Sequence, residues 1–291
     1  MSHDCLVAAH DAGGAELLAS YIARNNLSCL YLIEGPAIKV FERRLGKNLN
    51  LVSMEDGLKN CKWCLCSTSW QSELEWLVVK RAKKLNIKVV SFLDHWVNYT
   101  QRFLRNNIQY LPDEIWVADE YAKSKALQDF PDTKVKLINN PYLLDIKDKL
   151  KDYKIINCIP NSILYMSENI SGNSLRTYGD ESYFGYTEFD GLKILLDNRH
   201  FLNKNCNHIN IRLHPSENKD KYKDIIQKNK KLISISNHSD LLEDIASSDI
   251  IAGCESMALV VALVANKKVY SCLPINIKNR LPYNEIIKLL K

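Results

Sequence analysis

The chain has 291 residues, of which 46% are hydrophobic and 25% charged, as in ordinary globular proteins. Its 39 basic and 34 acidic residues give a formal charge of +5. This excess suits an anionic small ligand or the anionic inner face of a membrane, but it excludes the dense basic stripe of a nucleic-acid-binding protein. Without an apolar run of about 18 residues or a secretion signal, we expect a cytoplasmic protein with reduced cysteines, in which peripheral membrane contact stays open.

Short apolar strands alternate with amphipathic helices throughout the first half. The predicted strands are 5–10, 29–33, 49–53, 63–66, 88–93, 115–118 and 135–138. The predicted helices are 12–24, 36–45, 70–85 and 120–129. This alternation is typical of a parallel sheet covered by helices on both faces.

The alternation lapses in the charged stretch 142–162 and then starts afresh. We therefore predict domains at 1–145 and 163–291, joined by a linker at 146–162, and a linker or an interdomain helix suits this stretch. The strands predicted in the second half are 163–166, 208–213, 232–236, 250–252 and 269–272, and the helices are 185–202, 219–230, 241–247, 256–265 and 284–290. Ligands of such folds bind beyond the carboxyl ends of the strands, so the residues there are the candidates for function.

The first strand ends in His10 and Asp11, followed by Gly13 and Gly14. Paired glycines let the backbone approach a ligand closely, and the N-terminus of the next helix offers unpaired N–H groups. The alternative is that Asp11 only caps this helix. A cap does not account for the histidine and both glycines together.

Asp94, His95 and Trp96 follow the strand at 88–93. Polar groups beside an aromatic ring suit a sugar, which needs hydrogen bonds and a stacking surface, and we assign these residues to the acceptor side. An ordinary loop with one buried aromatic ring is the alternative.

A polar segment follows the first strand of the second half and contains Ser167, Glu168, Asn169, Ser171 and Gly172. Its hydroxyl and amide groups could hold phosphate oxygens at the strand end. A solvated loop would have the same composition, so the segment alone does not decide between them.

The strand at 208–213 leads into Arg212, His214 and Pro215, and Ser216 then begins a charged helix. These residues suit a strand end directed at a phosphate, although a capped turn would also explain the serine. His238 follows the next strand in the same way.

Gly253, Glu255 and Ser256 lie between an apolar strand and an almost wholly apolar helix. A carboxylate there can accept two ribose hydroxyls, while Ser256 and the nearby N–H groups face phosphate. Alternatively, Glu255 only complements the helix dipole.

The pair Cys61 and Cys64 forms a C-x-x-C without a second pair of ligands at zinc spacing, and it lies in a predicted buried strand. We predict no metal site, and no cofactor apart from a nucleotide sugar that serves as substrate.

The paired α/β halves and the segment DIIAGCESMALVVALVANKKV at 249–269 resemble GT-B glycosyltransferases. Enzymes of this superfamily have two Rossmann-like domains with parallel sheets that face each other across a cleft. The resemblance implies that Glu255 binds the donor ribose and that the domain at 163–291 binds the nucleotide sugar. His214-Pro215 is similar to the HP motif of bacterial sialyltransferases and Kdo-type transferases, whose histidine contacts the phosphate of a CMP-activated sugar, with a hydroxyl at the position of Ser256.

Those transferases carry their general base in a short acidic-glycine motif, which Asp11-Ala12-Gly13-Gly14 matches without the second acidic residue. The resemblance thus implies an inverting, metal-independent transfer of a nonulosonic acid such as sialic acid, or of Kdo. The acceptor is a glycan or a lipid-linked molecule of bacterial capsule or lipopolysaccharide synthesis. His214 and Arg212 would neutralise the phosphate, and Asp11, or else His10, would act as base.

Three alternatives stay open at the level of sequence. One is a GT-B transferase with a UDP-sugar or CDP-polyol donor. Another is a UDP-sugar 2-epimerase or hydrolase, which needs several carboxylates around the donor sugar, and the sequence offers few at strand ends. The last is a non-catalytic nucleotide-binding subunit.

Overall fold

The computed structural model describes residues 3–69, 72–155 and 159–290. The chain forms two compact units, Met1–Asp145 and Ile146–Lys291. Each unit contains a six-stranded sheet in which every pairing is parallel, so the predicted α/β class with two parallel sheets is confirmed. Within the described ranges, no helix is long and apolar enough to cross a membrane.

Helices and strands alternate along the first unit. Its strands are β1 (His3–Ala9), β2 (Cys29–Ile33), β3 (Cys61–Cys66), β4 (Lys88–Phe92), β5 (Leu104–Arg105), β6 (Ile108–Gln109), β7 (Glu114–Val117) and β8 (Lys134–Leu137). Its helices are α1 (Ala12–Asn25), α2 (Pro36–Leu45), α3 (Met54–Asn60), α4 (Leu74–Lys84), α5 (Tyr99–Phe103), α6 (Glu120–Asp129) and α7 (Pro141–Lys149), the last of which continues into the second unit. Strands β5 and β6 form a separate antiparallel pair.

The first sheet has the strand order β2-β1-β3-β4-β7-β8. Successive residues of β1 point to opposite faces, so Val7 packs in one apolar layer with Phe41 of α2, and Leu6 packs in the other with Val78 of α4. Burial on both faces explains why the strands are nearly continuous apolar runs. Strand β2 lies on one side of β1 and β3 on the other, so the chain connections leave in opposite directions between β1 and β3. A crevice opens at this point in such sheets.

The second unit alternates in the same way. A short 3-10 helix at Asp152–Ile155 precedes β9 (Ile159–Met166), β10 (His208–Arg212), β11 (Ile233–Ile235), β12 (Ser248–Gly253), β13 (Lys268–Ser271) and β14 (Ile286–Lys288). The helices are α8 (Ile170–Tyr178), α9 (Glu188–Leu202), α10 (Lys223–Lys228), α11 (Leu241–Ser247) and α12 (Met257–Val264).

The second sheet has the order β11-β10-β9-β12-β13-β14, and its connections diverge between β9 and β12. Met166 at the end of β9 pairs with Arg212 on β10 and with Gly253 on β12. These three strands therefore end level with one another. The loops that follow them begin at the same edge of the sheet, which is the edge at which ligands of this fold class bind.

Two predicted elements are wrong. The predicted strand at 49–53 is reduced to a single parallel bridge between Leu51 and Tyr31, because Ser53 already caps α3 by accepting the N–H of Asp56. The predicted helix at 284–290 is instead the edge strand β14, whose pairing with β13 outweighs local helix propensity.

The bounds of other elements also differ from the prediction. The helix predicted at 185–202 begins at Glu188, because Gly185 has a φ of +78° and Thr187 forms a capping box with Asp190. The helix predicted at 219–230 covers only Lys223–Lys228, and α3 and α8 were not predicted. Trp70, which we assigned to the helix at 70–85, lies outside the described residues, as do residues 156–158 of the predicted linker.

Candidate functional site

The loops after β9, β10 and β12 are hydrogen-bonded to one another. The Ser167 N–H donates to the Arg212 carbonyl at 2.9 Å. Asn169 Nδ2 donates to Ser216 Oγ at 3.2 Å, and the Glu255 N–H donates to Glu168 Oε1 at 2.8 Å. The structure thus brings together at one sheet edge the segments around residues 167–169, 214–216 and 253–256.

His214 presents a hydrogen-bond donor at this edge. Its Nδ1 lies 2.8 Å from Ser216 Oγ and accepts the Ser216 N–H at 3.2 Å, which assigns the proton of the neutral ring to Nε2. Partial desolvation of the ring by its neighbours lowers the pKa of His214, which favours this neutral form near pH 7. Over the described ranges no residue bonds to Nε2, and the side chain is exposed. The Nε2–H group is available to an anionic ligand.

Glu217 holds the turn that carries His214. Its carboxylate accepts the His214 N–H at 2.6 Å, the Ser167 hydroxyl at 2.8 Å and Lys221 Nζ at 2.6 Å. Because the Ser167 hydroxyl donates inward, its contribution in this structure is to fix the turn. The role of Ser167 as a phosphate ligand stays a prediction.

Glu188 is the second carboxylate behind the turn, and its side chain is fully buried. It accepts the Ser171 N–H at 2.9 Å and the Ser171 hydroxyl at 2.6 Å, and it forms an ion pair with Lys221. Burial raises its pKa, but Lys221 and Ser171 outweigh this effect and the net pKa is lowered. At Gly172 a Cβ would lie 2.5 Å from Asn169 Oδ1, so a side chain there would displace the Asn169 amide.

Arg212 and His238 form a cluster around Asp244 in the same unit. The Arg212 guanidinium forms an ion pair with Asp244 and donates to the backbone carbonyls of His238, Ser239 and Asp240, each at 3.2 Å. His238 Nδ1 lies 2.9 Å from Asp244 Oδ1. Both predicted ligands are thus engaged in holding the loop after β11, and phosphate binding by either stays a prediction.

Glu168 has an unusual environment for a carboxylate. Burial raises its pKa from 4.5 to about 7, with the nearby charge of Glu255 in the same direction and the Glu255 N–H opposing it. Pairing at Gly253 brings β9 and β12 close together, since a Cβ there would lie 3.0 Å from the Met166 carbonyl oxygen. Glu168 therefore lies half-buried beside the paired ends of β9 and β12, where the chain connections diverge.

Replacing Glu168 by glutamine tests this environment through the pH dependence of stability. A carboxyl whose pKa is raised on folding stabilises the fold below its unfolded pKa, and this contribution is lost as the pH rises through the folded pKa. The wild type should therefore lose about 2–3 kcal/mol relative to Glu168→Gln between about pH 5 and about pH 8. Urea unfolding of both proteins at the two pH values measures it, with Glu181→Gln as an exposed-carboxylate control. A pH-independent difference would contradict the assignment.

Glu255 and Ser256 open helix α12. The Ser256 hydroxyl accepts the Ala258 N–H at 3.2 Å and so caps the helix. The Glu255 side chain is buried and does not cap the helix. Its carboxylate accepts a hydrogen bond from the Tyr186 hydroxyl and forms an ion pair with Arg280. Arg280 lies in an irregular segment after β13 and had no signal in the sequence pattern.

In the first unit, His10 and Asp11 form a hydrogen-bonded pair, with 2.7 Å between Nδ1 and Oδ1. Asp11 occupies the N-cap position of α1, but its side chain accepts no helix N–H, so the capping alternative is not what the structure shows. The Nε2 edge of His10 packs on Gly35, where φ is +55° and a Cβ would lie 2.6 Å from Nε2. The second carboxylate oxygen of Asp11 is thus more open than the ring nitrogens of His10, the other candidate base.

Glu75 at the start of α4 is a further carboxylate at this edge that the sequence analysis missed. Its Oε1 accepts the His10 N–H and the Ser67 hydroxyl, each at 2.9 Å. Its Oε2 is buried without a partner in the part of the chain that the structure describes, and burial raises its pKa. Gly14 packs directly on Ser67, with only 2.5 Å available to a Cβ. The sequence feature that could have revealed Glu75 is its position as a glutamate on the apolar stripe of α4.

Asp94 reaches the same edge from β4. Its Oδ1 accepts Arg102 Nη1 at 2.7 Å, and its Oδ2 lies over Gly13, 2.8 Å from the position of a Cβ. The buried Arg102 also donates to the Thr68 hydroxyl at 2.8 Å. The structure therefore brings Asp94 and Gly13 together, as expected for neighbouring strand ends.

Trp96 does not offer an exposed ring face. It is only 6% exposed, and its Nε1 donates to Asp119 at 2.7 Å. His95 packs against this ring, with 5.2 Å between the ring centroids. The alternative of a buried aromatic ring describes Trp96 in this structure, and sugar contact by either residue stays a prediction.

No family model matches the sequence, and no curated protein matches it. No group of three or more His, Cys, Asp or Glu residues suited to a metal ion occurs among the described residues.

Solved structures match the fold over most of the chain. A structure of S. aureus MnaA with UDP has a TM-score of 0.58 at 11% identity and covers 92% of this chain and 78% of that chain. A putative UDP-N-acetylglucosamine 2-epimerase from Listeria monocytogenes has a TM-score of 0.57 at 11% identity, covering 93% and 79%. The glycotransferase of kitacinnamycin has a TM-score of 0.53 at 8% identity, covering 94% and 81%. At these identities the likeness shows the fold.

Proposed function

We propose that this chain is a glycosyltransferase that uses a nucleotide-sugar donor. The observation that carries the proposal is the Nε2–H group of His214, presented at the edge where Glu255 and Ser256 also lie. A neutral imidazole donor and a helix N-terminus suit a phosphate, and a carboxylate suits ribose hydroxyls. Proteins of the same fold are described as a glycotransferase and as a complex with UDP, which supports a nucleotide-sugar ligand.

The proposed reaction is a single displacement. The acceptor oxygen attacks the anomeric carbon, and the bond from that carbon to the phosphate oxygen breaks with its electron pair left on the phosphate. The proton of the acceptor hydroxyl passes to Asp11, and inversion at the anomeric carbon follows. His214 donates a hydrogen bond to the oxygen on which charge grows, so its contribution increases towards the transition state.

For the donor we propose a CMP-activated nonulosonic acid or Kdo, because His214-Pro215 resembles the HP motif of transferases that use such donors. For the acceptor we propose a glycan or lipid-linked molecule of bacterial surface polysaccharide synthesis. A UDP-sugar or CDP-polyol donor remains the alternative within the same reaction class.

The second candidate function is a UDP-sugar 2-epimerase or hydrolase. It is favoured by three carboxylates at one edge of the first sheet, because Glu75 joins Asp11 and Asp94 there. This is more than the sequence had indicated. Incubation with UDP-N-acetylglucosamine, followed by analysis of the sugar product, separates the candidates, since an epimerase converts it without an acceptor.

Ligand-dependent melting tests the proposed donor. We expect CMP at about a hundredfold its dissociation constant to raise the melting temperature by about 5 °C or more, because binding at that ratio adds about 2.7 kcal/mol to the free energy of unfolding. UDP and CDP at the same concentration should give smaller shifts. A shift with UDP or CDP but not with CMP would replace the CMP donor, and no shift with any of the three would contradict a nucleotide-sugar site.

A further inference from the structure

The carboxylate of Glu255 already accepts four hydrogen bonds from donors of its own unit. Oε1 accepts the Arg280 backbone N–H at 2.6 Å. Oε2 accepts Arg280 Nε at 2.8 Å, Arg280 Nη2 at 2.5 Å and the Tyr186 hydroxyl at 2.9 Å. Three donors leave Oε2 without a free lone pair, the single N–H on Oε1 leaves that oxygen one, and the Glu255 side chain is only 5% exposed. Two ribose hydroxyls can bind this enclosed carboxylate only if some of the present donors leave.

Arg280 is the donor that can leave. Its side chain is 49% exposed, in contrast to the buried Tyr186, and its guanidinium lies over the Phe184 ring at 5.3 Å from the centroid. The segment that carries it, between β13 and β14, is irregular. Both guanidinium nitrogens of Arg280 that contact Glu255 donate to the same oxygen, Oε2. A guanidinium that moves from this carboxylate to a phosphate exchanges one set of charge-assisted hydrogen bonds for another, so the change costs little.

We propose that the Arg280 guanidinium leaves Glu255 and binds the phosphate of the nucleotide. The ribose hydroxyls then take the place of the guanidinium on the Glu255 carboxylate. This inference rests on the proposed function, because it requires a nucleotide at the β9–β12 edge. The two halves of the exchange depend on each other. A nucleoside alone must compete with Arg280 for Glu255, and inorganic phosphate alone would leave the buried Glu255 charge without its partner, which is costly.

The exchange predicts opposite changes in binding affinity for a nucleotide and for its parent nucleoside. Arg280→Met should weaken the binding of a nucleoside monophosphate about ten- to a hundredfold, the usual size of a hydrogen bond to a charged group. The same variant should bind the parent nucleoside more tightly than the wild type does, because its competitor for Glu255 is gone. Calorimetric titrations with cytidine, CMP, uridine and UMP at fixed salt measure both effects.

Lys278→Met is the matched control, because it removes an exposed positive charge from the same segment without a contact to Glu255. Its preference for CMP over cytidine should equal that of the wild type. Arg280→Lys keeps the charge but loses the fork geometry, and its preference should lie between those of the wild type and Arg280→Met. The readout is the ratio of the nucleoside and nucleotide dissociation constants, which is unaffected by a partly unfolded fraction because both ligands meet the same protein.

Two outcomes would overturn the inference and are distinguishable. If the wild type binds CMP or UMP and Arg280→Met binds it as tightly, or binds the nucleoside more weakly, the exchange does not occur and the proposed function stands. If the wild type binds none of the four compounds, the proposed function fails and the exchange fails with it.

Discussion

Replacing His214 by asparagine should lower the turnover of sugar transfer by about a hundredfold, the usual effect of losing one donor to a developing negative charge. The amide oxygen of asparagine can replace Nδ1 as the acceptor of the Ser216 N–H, so the turn is kept. What asparagine cannot replace is the Nε2–H group. Glutamine reaches further, and we expect His214→Gln to retain more activity than His214→Asn. Steady-state rates with a saturating nucleotide sugar measure the difference.

His200 provides the control for this comparison, because it is an exposed histidine in the last turn of α9. His200→Asn should leave turnover unchanged. Equal losses in His214→Asn and His214→Gln, accompanied by a lower free energy of unfolding, would indicate that the ring acts only through its bond to Ser216. Full activity in a folded His214→Asn would remove the residue from the mechanism.

Replacing Asp11 by asparagine should lower turnover by at least about a hundredfold, as expected for the loss of a general base. The affinity for the donor nucleotide should stay the same, because the proposed nucleotide site belongs to the second unit. The substitution is nearly isosteric and keeps an acceptor for His10 Nδ1. Rates at saturating donor and acceptor, together with nucleotide binding, measure the two effects.

His10 separates the two candidate bases. If Asp11 is the base, His10→Asn loses only the orientation of the carboxylate, and we expect about a tenfold decrease. If the imidazole is the base, the turnover of His10→Asn should fall as far as that of Asp11→Asn. Asp132→Asn, at an exposed position of the same unit, serves as the control. If Asp11→Asn keeps its activity, Asp11 is not the base, and the other carboxylates at this edge become the candidates.

The sequence predicted the two-sheet α/β fold and the strand ends because both follow from local patterns. Apolar runs and helical periodicity repeat within a few residues, and a polar group at a strand end is visible without knowledge of the fold. The segments around His214, Asn169 and Glu255 could therefore be assigned to strand ends of one sheet from the sequence alone, and they are hydrogen-bonded there.

The residues that the sequence analysis missed act over long separations. Glu75 meets His10 across 65 positions, and Arg280 meets Glu255 across 25. No periodicity indicates which carboxylate of a helix will face a strand end, or which arginine of an irregular segment will fold back. The inward hydrogen bonds of Ser167 and Ser171 were hidden for the same reason, since their partners Glu217 and Glu188 lie on other elements.

The single bridge at Leu51 has a consequence for the behaviour of the protein at high concentration. Strand β2 is the edge of its sheet, and an edge strand with free main-chain groups is a template on which a second molecule can add a strand. The central residue of β2, Tyr31, accepts the Val52 N–H at 3.1 Å and donates to the Asn50 carbonyl at 2.9 Å. Aggregation by strand addition at this edge would first have to break both bonds, so this short segment protects the edge.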